Sequence, residues 1–126
     1  MAILAVGLAE NTLDELRAFI GAAERLDLAD GEEEAMECVR QSYLDETPCR
    51  LVIVKMRNDG FTGLTVLEAI RKFELNGAHN IPVVCLVEDA AEVSMLGLFS
   101  RPAEVFLDMA TPMDEILTHA EMVAAE

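Results

Sequence analysis

Leu51-Val52-Ile53-Val54-Lys55, followed by Met56-Arg57-Asn58-Asp59-Gly60 and then Gly63, decides how this chain folds. Four apolar residues, three of them β-branched, make a buried strand that stops at a charge. Beyond Gly63 the period changes: Leu64, Leu67 and Ile70 recur three apart, the stripe of a helix. A buried strand, a glycine-bearing loop and a helix are how an α/β sheet builds a site, and the carboxyl end of the strand is where such sheets bind ligands. The residue at that end is Lys55.

The same alternation extends outward in both directions. Residues 3–6, Ile-Leu-Ala-Val, read as a first buried strand. Asn11 or Thr12 can cap the helix that follows, Thr12 forming a capping box with Glu15, and Leu13, Leu16, Ile20 and Ala23 supply its inward face. Arg25–Ala29 alternates as a short strand suited to a sheet edge. Asp30-Gly31 turns the chain, Asp30 with Glu33 offers a second cap, and a helix runs over Glu32–Leu44 with Ala35, Met36, Val39 and Tyr43 inward. Glu32, Glu33 and Glu34 fall in its first turn, where acids suit the helix dipole better than they suit a metal ion.

After the helix over about 62–74, Asn76-Gly77 is a stop signal. Residues 81–87 form another apolar strand, with Pro82 near its start, where a missing donor is tolerated. Glu88-Asp89 opens a short helix through Leu98, Arg101-Pro102 breaks it, and Val105-Phe106-Leu107 makes a last strand. Thr111-Pro112 starts a final helix with Met113, Ile116, Leu117, Ala120 and Val123 inward.

Strands that are solid apolar runs must be covered on both faces, which demands a parallel sheet between two layers of helices. Right-handed crossovers and the short length favour a doubly wound, flavodoxin-like (βα)5 α/β fold with a five-stranded parallel sheet in order 2-1-3-4-5. The 126 residues suffice for one domain, 1–126, and 52% hydrophobic content argues against disorder.

A net charge of −15 repels phosphate backbones and anionic membrane surfaces, so no nucleic acid or membrane partner is expected; acidity serves solubility first and suits a basic protein face second. Glu10 interrupts the first apolar segment, which therefore reads as a strand and not a signal peptide. Cys38, Cys49 and Cys85 are widely spaced and odd in number, as free thiols of a reducing cytoplasm would be. His79 and His119 stand alone in polar contexts, as surface histidines do.

In order and spacing, Ile3-Leu4-Ala5-Val6, Ala29-Asp30-Gly31-Glu32-Glu33, Leu51 to Lys55 with Gly63, Leu67 to Arg71, the 81–87 strand and Val105-Phe106-Leu107 resemble the receiver domain of two-component response regulators across essentially the whole chain. The resemblance implies a carboxylate phosphoryl acceptor ending the third strand and a Mg²⁺-holding acidic pair after the first. It also implies a hydroxyl ending the fourth strand and a lysine after the fifth. This sequence departs at each place: Lys55 stands at the acceptor position, Gly7 and Leu8 at the acidic pair, Val87 at the hydroxyl and Met109 at the lysine. An ammonium cannot form an acyl phosphate and repels Mg²⁺, and neither Gly7 nor Leu8 offers an oxygen side chain.

The resemblance therefore implies a degenerate receiver, not an enzyme, with no metal or cofactor. It would signal by protein contact with a histidine kinase, an output domain or another signalling protein. The alternative is an atypical response regulator still answering to a phosphoryl group or other small ligand at the strand ends. Lys55 is either a neutral replacement whose stem packs on apolar neighbours or one half of an ion pair with Glu10, Asp59 or Glu88. A Schiff-base role has no other support in the sequence. In receivers the fourth helix, fifth strand and fifth helix carry the protein contacts, which here draws on Met95, Phe99, Phe106 and Met122 and allows a homodimer. Phe106 aligns with the family's aromatic switch position, and ordinary core packing is the competing reading for each of these side chains.

Overall fold

The 51–54 run forms the centre of a parallel sheet. A computed structural model of the chain describes residues 2–20, 25–46, 49–55, 61–74, 81–87 and 104–124. In chain order its elements are β1 (Ala2–Val6), α1 (Glu10–Ile20), β2 (Arg25–Ala29), α2 (Glu32–Leu44), β3 (Cys49–Lys55), α3 (Phe61–Glu74), β4 (Val83–Val87), β5 (Glu104–Asp108) and α4 (Met113–Ala124). The strands form one all-parallel sheet in order β2-β1-β3-β4-β5, the order expected of a flavodoxin-like α/β fold. Residues 88–103, where a further short helix is expected, lie outside the described residues.

Period-two alternation sorts each strand between two cores. Leu4, Val6, Val52, Val54, Val83, Cys85, Val87 and Phe106 face α2 and α3, meeting Ala35, Met36, Val39, Val66, Leu67 and Ile70. Ile3, Ala5, Leu51, Ile53, Val84 and Leu86 face α1 and α4, meeting Leu13, Leu16, Met113, Ile116 and Ala120. Every residue of β1 and β4 is buried, which is why both read as unbroken apolar runs. Each fully buried Ile or Leu, such as Ile3, Leu16, Ile53 or Ile70, contributes about 1.5–3 kcal/mol. Ile20 and Leu117, expected inside, are half-buried. Ala23 and the side chains of Tyr43 and Val123 lie outside the described residues.

The helix starts differ from the capping motifs of the sequence. Leu13 N–H bonds the Ala9 carbonyl, so α1 opens one turn earlier than a Thr12 cap allows. Ala35 N–H bonds the Gly31 carbonyl, which puts Gly31 and not Asp30 at the cap of α2. Packing of Leu13 and Leu16 on the sheet sets where α1 begins, and the capping signal yields to it. At the other end of α2, Glu46 adopts φ of +60°, the left-handed step that stops a helix and more often falls to glycine.

One polar side chain holds the α2–β3 junction from inside. Ser42 is fully buried, donates its hydroxyl to the Val39 carbonyl at 2.7 Å and accepts the Cys49 N–H at 3.1 Å. The hydroxyl replaces a ladder partner for the first amide of β3.

Candidate functional site

The carboxyl edge of the sheet gathers the positions singled out by the sequence. Val6 pairs with Val54, Lys55 with Leu86 and Val87 with Asp108, so the ends of β1, β3, β4 and β5 lie side by side. The order reverses between β1 and β3, the place where open α/β sheets leave a crevice for ligands.

Lys55 ends β3 on the strand face of Leu51 and Ile53, the α1–α4 side, and is half-buried. Beyond β1, Gly7 donates its N–H to the Ala29 carbonyl at 2.9 Å with φ of +69°. Leu8 packs against the α1–α4 core, as does Met109 beyond β5. Met109 donates its N–H to the Val87 carbonyl at 2.9 Å, and Val87 itself is buried against the α2–α3 layer. The Asp108 carboxylate accepts the Ala110 N–H at 2.7 Å and its carbonyl accepts the Thr111 N–H at 2.9 Å, so this acid shapes the turn into α4. Glu10 opens α1 and is exposed, a favourable place for a negative charge at a helix start. Asp59 and Glu88, the other ion-pair candidates for Lys55, lie outside the described residues.

The edge therefore presents an amine, the turn-forming carboxylate of Asp108, apolar side chains and backbone. Among the described residues, no group of three or more His, Cys, Asp or Glu side chains is placed to hold a metal ion. The backbone of Gly7 adds its own constraint. A Cβ there would meet nothing within 4 Å, so a side chain fits, but the left-handed φ strains any L residue. Gly7→Ala is expected to lower stability by about 1 kcal/mol, the strain being partly offset by a less flexible unfolded chain. Urea unfolding checks this, and an unchanged or raised midpoint contradicts the left-handed geometry.

The contact face inferred from the receiver resemblance is divided by the structure. Phe106 is 7% exposed and packs in the α2–α3 core, because the alternation of β5 turns it inward beside Cys85. Met122 is 62% exposed on α4, the helix of the opposite layer. Phe106 thus belongs to the interior and Met122 to the surface; Met95 and Phe99 lie outside the described residues.

Sequence reasoning missed a buried ion pair. The Arg71 Nε of α3 donates to Glu104 Oε2 of β5 at 2.7 Å, and its Nη1 donates to the Ile81 carbonyl at 3.4 Å. The two side chains are 11% and 2% exposed. Alternation puts Glu104 on the same face of β5 as Phe106, but no pattern in the sequence links that face to Arg71.

The cysteines are free. Burial pushes the Cys49 thiol up to about 11 and the Cys85 thiol up to about 12, so both are inert near neutral pH. Cys38, half-buried, is raised by burial and then by the charges of Asp27 and Glu34. No helix among the described residues is long and apolar enough to cross a membrane.

Comparison with protein-family models, with curated proteins and with solved structures finds no match for this chain.

Proposed function

We propose that this chain is a receiver-like module of a two-component or phosphorelay-type system that acts by contact with a protein partner and without phosphorylation. The supporting observation is the place of Lys55: an amine at the carboxyl end of the central strand, beside the fold's reversal of strand order. Phosphoryl transfer needs an oxygen anion there and hard ligands for Mg²⁺ next to it. Gly7, Leu8, Val87 and Met109 bring to the same edge side chains that supply neither. A protein partner in a reducing cytoplasm, such as a histidine kinase or an output domain, fits this reading and the three free thiols.

Incubation with acetyl phosphate and Mg²⁺, read by intact-protein mass, tests it. No phosphoryl adduct is expected on the native chain, nor on Lys55→Asp, because one restored carboxylate still lacks a metal pair and a hydroxyl. Mg²⁺-dependent phosphorylation of either protein overturns the proposal. A beryllofluoride and Mg²⁺ titration that shifts the amides of Gly7, Lys55 and Met109 would point instead to a small-ligand response at the strand ends.

A further inference from the structure

The lateral edge of the sheet at β2 carries a feature that the carboxyl edge does not explain. Among the described residues β2 is the terminal strand, hydrogen-bonded to β1 alone. The Ala29 carbonyl takes the Gly7 N–H, so the backbone groups of Ala29, and by alternation those of Asp27 and Arg25, point to β1. The N–H and C=O groups of Leu26 and Leu28 point the other way, to the open edge. The Leu28 carbonyl has the Cys38 sulfur at 4.0 Å, a weak contact that another donor can displace.

Beside this edge, between β2 and α2, lies an open groove of about 380 Å³ lined by Arg25, Asp27, Glu37, Cys38, Gln41 and Asp45. It sets three carboxylates against one guanidinium. Arg25 is held by Asp27 at 3.2 Å and by Asp45 at 3.3 Å, so the groove keeps a net negative charge. On the other side of the same strand, Leu28 is 46% exposed while its neighbour Leu26 packs on the α1–α4 core. The edge therefore offers backbone pairing in the middle, acids on one side and an apolar residue on the other.

We infer that the β2 edge docks an extended basic segment of a partner protein, which joins the sheet as a further strand. Backbone groups of Leu26 and Leu28 pair with the segment. Its side chains alternate: cationic ones fall toward Asp27, Glu37 and Asp45, and apolar ones cover Leu28. The net charge of −15 steers a basic chain to this edge and opposes a second copy of the same acidic surface. This goes beyond the contact reading above by naming the surface and the chemistry of its partner. It does not depend on what Lys55 does.

Two fluorescent peptides of about seven residues test it, one alternating lysine with valine and one carrying the same residues in two blocks. Anisotropy is expected to show the alternating peptide binding about tenfold tighter than the block peptide. That binding should also slow the reaction of Cys38 with a disulfide reagent. Leu28→Pro removes one outward N–H while sparing the ladder to β1, and it should weaken the alternating peptide about tenfold. Glu37→Lys combined with Asp45→Lys changes two exposed positions, one on α2 and one in the turn that follows it, and should do the same, so the test stands even where the proline variant folds poorly. Equal binding of both peptides reduces the edge to unspecific charge attraction and overturns the inference. So does binding of neither, which would assign Arg25 and Asp27 to guarding an open edge.

Discussion

Arg71→Ala is expected to cost about 3–5 kcal/mol, a large share of the about 5–15 kcal/mol that holds a domain of this kind together. The cost does not measure the attraction of the pair. It comes from leaving the Glu104 carboxylate, 2% exposed, without the guanidinium that meets it at 2.7 Å. Removing both charges should behave differently. Arg71→Met with Glu104→Leu fills the space with apolar atoms and is expected to recover most of the loss, since well-packed apolar pairs often equal buried ion pairs. Urea unfolding of the single and double variants gives the comparison. A cost below about 1 kcal/mol for Arg71→Ala would be that of a surface pair, and would contradict the weight of the Arg71–Glu104 contact in the fold.

Phe106→Ala comes next, with an expected loss of about 3–5 kcal/mol from an emptied core position. The value separates two roles for the same side chain. An aromatic at a contact surface can be truncated with stability held within about 0.5 kcal/mol, its loss appearing only in partner binding. At 7% exposure, beside Cys85 and on the same strand face as Glu104, Phe106 instead fills the α2–α3 core. The Arg71 and Phe106 variants alter one contiguous region, so their combined effect should depart from the sum of the two.

Much of the fold was legible because its signals are local. The apolar runs at 3–6, 51–54 and 81–87 alternate with helix-period stripes, and only a parallel sheet between two helical layers buries such strands on both faces. The position of Lys55 at a strand end followed from the same reading. Helix starts were less legible. The Thr12 and Asp30 motifs are sound caps in isolation, yet Ala9 and Gly31 take those places, because burial of the helix faces outweighs a cap of about 1 kcal/mol.

The side-chain pairings were illegible for a different reason. Arg71 and Glu104 are 33 residues apart, and Arg25 and Asp45 are 20 apart. No periodicity links such positions. They meet because β5 lies beside β4, and because α3 and α2 pack on the same face of the sheet.

Periodicity and the burial that it requires are properties of consecutive residues, so the chain alone carried the layered architecture, the strand order and the amine at the centre of the carboxyl edge. Which face Phe106 joins, which carboxylate Arg71 meets and which amides of β2 point away from β1 depend on strand neighbours and register. Those are relations between distant segments, and they exist only once the sheet has formed.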